Sequence, residues 1–251
     1  MGVYEDVTAF YERYSGEKKI FGKSERGRNL YAFKTGYDEG KKIIVQAGIH
    51  AREYVNAYVL TSMIKKYSAF NYVVWFLPLT NPDGAVICQN GKLYYKANAN
   101  GVDLNVNFDA RFGTGKYNVN TPGEENYTGA FPFSEKESRA LRDFTLDVRP
   151  DATLSYHTKG EEIYFDFFQT GERYLKDRKI AYAVSEITGY RVVENLPSAG
   201  GYKDWCVEKL GIPSLTIETG KDEYAHPLKK EYADEIFKKN EFVTERIFDF
   251  I

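Results

Sequence analysis

Hydrophobic residues along this chain alternate between helical spacing and short unbroken runs, and that alternation orders the elements. Val3, Val7, Phe10, Tyr11 and Tyr14 recur at helical spacing, so residues 3–14 read as a helix ended by Ser15-Gly16. Ile20–Gly22 and Leu30–Lys34 read as two short strands joined by the polar turn KSERGR. A β-branched run beginning at Lys42 predicts a buried strand, and Gly48 lets the backbone turn at its end. Tyr54–Tyr67 follows as a helix presenting Val55, Tyr58, Val59, Ser62 and Met63 on one face, and Tyr72–Pro78 is another apolar strand. Strand, helix, strand implies a crossover unit and a largely parallel sheet.

The pattern fades over Asn81–Phe133, a stretch rich in Asn, Gly, Thr and Tyr that reads as a long, functional loop section. Periodicity returns at Ser134, which has capping-box spacing to Glu137 and predicts a helix to about Arg149, stopped by Pro150. Ala152–Tyr156 is then a strand ending in His157, Glu162–Phe168 a further strand, Arg173–Thr188 a helix and Gly201–Leu210 a shorter one. Leu215–Ile217 is the last strand, ending at Glu218, and Tyr232–Phe250 reads as one closing amphipathic helix. With 251 residues, 43% of them hydrophobic, the chain can bury one sizeable core, and residues 1–251 are expected to form a single α/β domain without repeats or linkers.

Charge narrows the function classes. A formal net charge of -2 leaves no basic field for nucleic acid, so a small molecule or peptide is the expected partner. No apolar run reaches membrane-spanning length, and the opening MGVYEDVTAFYERY lacks a basic segment followed by an apolar one; no membrane partner and a cytoplasmic location are the expectations. Cys88 and Cys206 form no framework and read as buried thiols.

Candidate chemistry gathers where strands end. His50 and Glu53 stand three positions apart after the Lys42 strand, and a tight turn there would aim an imidazole and a carboxylate at one cation. Zinc accepts that mixture, and a catalytic zinc takes three protein ligands plus a water, so a third ligand must come from elsewhere. An H-x-x-E pair alone is common by chance. In open α/β sheets chemistry collects beyond the carboxyl ends of the strands, where this reading puts His50, Glu53, His157 and Glu218.

These residues belong to a larger set. GIHAREYV at 48–55, NPDG at 81–84, GVDLNVNFDARFG at 101–113, SYHTKGEE at 155–162, GGYKDW at 200–205 and TIETG at 216–220 together resemble the zinc carboxypeptidases of the pancreatic type, in the family's order over most of the chain. The resemblance implies a three-layer α/β/α fold around a mixed, mainly parallel eight-stranded sheet, and one zinc per chain held by His50, Glu53 and His157. It implies Glu218 as the general base and Asp103 as the carboxylate that accepts a hydrogen bond from the first ligand histidine. Lys96 falls where the family has an arginine that stabilises the oxyanion, and an ammonium can do this as a point charge. Asn105 matches an asparagine that docks the substrate. His226 has no match and is expected to be a loop residue.

The sequence also departs from the family. The peptide-trimming members follow that asparagine with an arginine that docks the terminal carboxylate, and here the position is Val106. Valine offers neither hydrogen bonds nor counter-charge. Those enzymes carry a mobile tyrosine at the position matched by Leu196. Lys203, immediately before Asp204, falls where the pancreatic-type enzymes place a residue on the floor of the specificity pocket; a cation there favours a substrate carboxylate, and an exposed helix lysine is the alternative. Arg52 and Arg111 are further candidates for substrate carboxylates, with plain surface charge as the alternative for each. YKANANGVDLN, HTKGEEIYF and GGYKDW are most similar to the bacterial branch that cleaves the γ-D-glutamyl-diaminopimelate bond of peptidoglycan stem peptides. That activity is the first expectation. The alternatives are a carboxypeptidase of broader specificity, which the missing arginine disfavours, and a non-catalytic protein of this fold that binds cell-wall fragments and would have no use for Glu218.

Overall fold

The computed structural model describes residues 2–37, 40–67, 72–123, 125–194 and 197–251. The strands are β1 (Lys18–Lys23), β2 (Asn29–Thr35), β3 (Lys42–Ala47), β4 (Val73–Leu77), β5 (Ala152–Thr158), β6 (Glu162–Tyr164), β7 (Arg191–Val193) and β8 (Ser214–Thr219). They form one eight-stranded sheet in the order β1-β2-β4-β3-β5-β8-β6-β7. The central pairs β3–β4, β3–β5 and β5–β8 are parallel, as is β6–β7, whereas β1–β2, β2–β4 and β6–β8 are antiparallel. The sheet is therefore mixed and mainly parallel, as expected.

Burial on both faces explains the unbroken apolar runs of the central strands. In β3, Ile43 and Val45 join the core under helices α1 (Val3–Arg13), α2 (Val55–Lys66) and α5 (Gly171–Thr188). Ile44 points the other way, into the core under α4 (Lys136–Val148) and α6 (Tyr202–Trp205). All three side chains are fully buried, and each contributes roughly 1.5–3 kcal/mol of transfer free energy. The connection from β3 to β4 passes through α2 on the first face, and the route from β4 to β5 passes through α4 on the second. The chain thus changes face between the neighbours β3 and β5, which opens a crevice at their carboxyl ends.

Several elements differ from the pattern-based expectation. The Asn81–Phe133 section contains a helix, α3 (Pro82–Gln89), whose first turn is capped by Asn81 Oδ1 accepting from Gly84 N at 2.9 Å. Its Asn-Pro start is a legible cap signal, but eight residues give little periodicity. Ser134 and Glu137 make no capping box. Ser134 Oγ instead donates to Glu135 Oε1 at 2.7 Å, and Glu137 is buried, accepting from Glu25 N at 3.1 Å. The stripe that α2 buries runs through Val55, Asn56, Val59, Leu60 and Met63, with Tyr58 and Ser62 left at its margin. The expected strand over Glu162–Phe168 stops at Tyr164. The closing helix is split into α7 (Ala233–Asn240) and α8 (Val243–Phe248), and β7 is a three-residue strand that no pattern announced. Cys88 and Cys206 are free and buried. No described helix is long and apolar enough to cross a membrane.

Candidate active site

The site begins where β3 ends. Gly48 has φ of +62°, and a Cβ there would come within 2.8 Å of Leu79 Cδ1, so both backbone angle and space call for glycine. The chain then makes one tight helical turn, Ala51–Glu53, anchored by Ala51 N donating to Lys96 O at 3.0 Å, before α2 starts. That turn brings His50 Nδ1 to 2.9 Å from Glu53 Oε1. From β5, His157 Nδ1 reaches 2.9 Å from Glu53 Oε2 and 3.2 Å from His50 Nδ1. His157 lies one residue inside the end of β5 rather than beyond it, and its register partner on β8 is Glu218.

Two imidazole nitrogens and both oxygens of a carboxylate therefore face one point. All three side chains are buried, and their ligand atoms lie within 4.8 Å of one another, a group that could hold a metal ion. Two buried imidazole nitrogens 3.2 Å apart beside a carboxylate are well placed to share one cation. Two nitrogens and one carboxylate also match the donor set of a catalytic zinc. The residues present fit the group.

Asp103 supports this cluster from behind. Its Oδ1 is 3.2 Å from His50 Nε2, near enough for charge pairing though off the alignment of a full hydrogen bond. Its Oδ2 is 2.8 Å from Lys96 Nζ, and Oδ1 accepts from Asn105 N at 3.0 Å. A carboxylate against Nε2 favours the tautomer with Nδ1 free for a metal. Burial opposes charge on His50, yet Glu53 and Asp103 outweigh it and raise the imidazole to about 9. Burial pushes His157 down. Burial works against ionisation of Asp103, but Lys96 and His50 hold it far below the usual carboxylate range.

Glu218 sits across from the ligand cluster, with Oε2 buried and unpartnered. Burial, followed by the Glu53 carboxylate, pushes its carboxyl well above the usual range. A dication among these groups acts in the opposite sense. Glu218 also lines a cavity of about 140 Å³ with Asn105, Tyr164, Lys203, Asp204 and Thr216. Lys203 is buried there and not an exposed helix lysine. Its Nζ is 2.7 Å from Asp166 O and 2.7 Å from Asp204 Oδ1, and Phe167 packs 5.4 Å away. The ammonium is thus held by one hydrogen bond and one ion pair while the residue lines the cavity. Asn105 Oδ1 accepts from Tyr202 N at 3.1 Å, tying the cavity wall to α6.

The remaining candidates separate. Arg52 donates to Tyr94 O at 3.0 Å and pairs with Glu125 at 2.5 Å, while Lys96 donates to Asn126 Oδ1 at 2.8 Å, so one short loop meets both cations. Arg111 is not brought to the cavity: it stacks 3.3 Å over Phe168 and pairs with Glu208 at 3.1 Å, nearly half exposed. Val106 is buried, and its carbonyl lies 2.7 Å from where a Gly200 Cβ would stand. The Leu196 position falls outside the described residues. His226 was legible only as a loop residue. Its Nδ1 is buried without a partner, and after burial, which lowers its affinity for a proton, the charges it feels most are those of Glu53 and Arg52.

Comparison with known proteins places this geometry. Residues 4–242 match the model of the Peptidase_M14 family, zinc carboxypeptidase. The chain is similar to γ-D-glutamyl-L-diamino acid endopeptidase 1 of Lysinibacillus sphaericus, 27% identical over 237 residues, covering 79% of this chain and 59% of that protein. It spans 66% of the length of a second relative, from Bacillus subtilis (strain 168). Among solved structures, bovine thrombin-activatable fibrinolysis inhibitor in complex with tick carboxypeptidase inhibitor superposes with a TM-score of 0.84 at 20% identity, covering 98% of this chain and 93% of that one. Murein-tripeptide amidase MpaA from Escherichia coli O157 superposes with a TM-score of 0.68 at 23% identity, covering 96% and 94%. The chain belongs to the zinc carboxypeptidase family.

Proposed function

We propose that this member of the zinc carboxypeptidase family hydrolyses the γ-D-glutamyl-diaminoacid bond of peptidoglycan stem peptides, with meso-diaminopimelate on the leaving side. His50, Glu53 and His157 hold one zinc in this reading. When bound, zinc lowers the pKa of a coordinated water and polarises the scissile carbonyl. Glu218 takes a proton from the attacking water and passes it to the departing amine. Lys96 offers its ammonium to the negative charge that develops on the carbonyl oxygen. Asp103 keeps His50 in one tautomer, and Asn105 helps to seat the substrate beside the cavity. Arg52, paired with Glu125, is kept as a candidate for a substrate carboxylate, and Arg111, held outside the cavity, is assigned no substrate role.

The observation that carries this reading is Lys203, a buried ammonium lining a polar cavity that also contains Glu218. A volume of about 140 Å³ holds roughly five waters, room for a short polar side-chain end. Val106, where a carboxylate-docking arginine would stand, adds to it by leaving ordinary C-terminal trimming without its anchor. The name of the L. sphaericus relative points to the same bond.

The test is kcat/KM for L-Ala-γ-D-Glu-meso-diaminopimelate against its L-Lys counterpart. One charge-assisted contact of about 1.5–3 kcal/mol gives an expected preference of roughly ten- to a hundredfold for diaminopimelate. Equal rates would remove Lys203 from the reading. Faster release of free terminal residues from ordinary L-peptides would favour a carboxypeptidase instead.

A further inference from the structure

We infer that Asn56 and Thr219 are positioning residues that hold Glu53, His157 and Glu218 as one frame through a buried three-cornered hydrogen-bond set. Asn56 stands in the first turn of α2, three residues after Glu53, with its side chain fully buried. Its Nδ2 donates to the backbone carbonyl of His157 at 2.8 Å. Thr219, the residue after Glu218, shares its hydroxyl proton between Asn56 Oδ1 at 2.8 Å and the same His157 carbonyl at 3.0 Å. The three corners lie on α2, β5 and β8, the elements that carry or directly follow Glu53, His157 and Glu218.

The need for such a set follows from how these elements are otherwise joined. The β5–β8 ladder pairs His157 with Glu218 and Thr158 with Thr219, which fixes those two strands to each other. Helix α2 rests on the sheet through Val55, Val59, Leu60 and Met63, and apolar contact is non-directional. Glu53 precedes that helix, so a slide of α2 by a fraction of an ångström would move a carboxylate that both imidazoles face. An amide that donates on one side and accepts on the other converts the greasy seat into a defined one. A buried amide is costly where its partners are missing, so the contact also selects one position of the helix.

This inference rests on the roles given above to Glu53, His157 and Glu218, and its test distinguishes the two. Asn56→Leu and Thr219→Val remove the hydrogen bonds at similar volume, and Thr219→Ser restores the hydroxyl. For each purified full-length variant, Tm, zinc affinity by chelator competition, the visible spectrum of the cobalt-substituted protein, and kcat and KM are measured. Outer partners of metal ligands typically contribute 10- to 100-fold in affinity or activity. The expected result is a loss of about that size in zinc affinity or kcat for Thr219→Val and Asn56→Leu, with KM little changed and the cobalt bands displaced. Thr219→Ser should return all of these towards wild type. Should Asn56→Leu fail to fold, the Thr219 pair decides alone. Folded Thr219→Val with wild-type cobalt bands, zinc affinity and kcat, and a lower Tm only, would reduce both residues to packing and overturn the inference. Stoichiometric zinc in both His50→Ala and His157→Ala would overturn the ligand assignment instead.

Discussion

The two walls of the crevice are built differently. On the ligand side, His50, Glu53 and His157 come from strand ends and a helical turn and Asp103 from the loop section, all of them buried and in contact at 2.9–3.2 Å. On the opposite side, the cavity around Lys203 is assembled from segments at 105, 164–166, 198–204 and 216–218, and the outer cations Arg52 and Lys96 are met by the loop residues Glu125 and Asn126. The ligand cluster draws on strand ends and one helical turn, whereas the cavity mixes the ends of β6, α6 and β8 with loop segments. The first wall tolerates little change, whereas the second can be retuned.

That contrast can be broken most severely at the ligands. His50→Ala or His157→Ala should remove most bound zinc and abolish hydrolysis, with zinc content read by atomic absorption; stoichiometric zinc in both would dismiss the ligand assignment. Glu218→Gln should leave zinc and fold in place and lower turnover about 10²- to 10⁴-fold, the range for a positioned base. If a tenth of the activity survived, another group would have to take the proton. On the tunable wall, Lys203→Met should erase the roughly ten- to hundredfold preference for diaminopimelate without changing zinc content. Arg111→Ala is the control and should leave the ratio alone; a shift there as large as that of Lys203→Met would bring Arg111 back to the substrate.

A further expected effect lies outside both walls and concerns pH. Burial raises the Glu137 carboxyl from 4.5 to about 7, against hydrogen bonds from the Glu25 backbone and Asn98. The folded state thus binds this proton more tightly than the unfolded chain. The resulting stabilisation is complete below about pH 4.5 and is lost as pH rises through 7. Glu137→Gln keeps an acceptor and removes the titration. Urea unfolding at pH 5 and pH 8 should show the wild type falling further than the variant, by on the order of 3 kcal/mol. Parallel falls would mean that Glu137 is ionised throughout.

How much of this was legible depended on the range of the signal. The strands β3, β5 and β8 announce themselves as apolar runs because both faces are covered, and His50, Glu53, His157 and Glu218 stand at or near their ends. Helix α3 carried its cap in Asn81-Pro82 but was too short for periodicity to show, and the break between α7 and α8 at Glu241-Phe242 had no Gly or Pro to mark it. Asn56 reads in sequence as a polar residue on a helix face. Its partners are 101 and 163 positions away, a separation that no local pattern encodes. Lys203 was placed by family resemblance alone, and its partner Asp166 lies in the stretch after Tyr164, where β6 stops four residues short of the expected Phe168.

The pairing of β5 with β8 has one more consequence. His157 stands opposite Glu218, flanked on β8 by Ile217 and Thr219. Side chains alternate between the faces of a sheet, so a slip of one residue would set Ile217 or Thr219 beside His157 and turn the carboxylate away. Such a molecule could keep much of its secondary structure and would look sound by far-ultraviolet dichroism. It would not turn over substrate. Specific activity per folded molecule is therefore a reporter of strand register, and after refolding it would reveal misaligned chains that a spectrum overlooks.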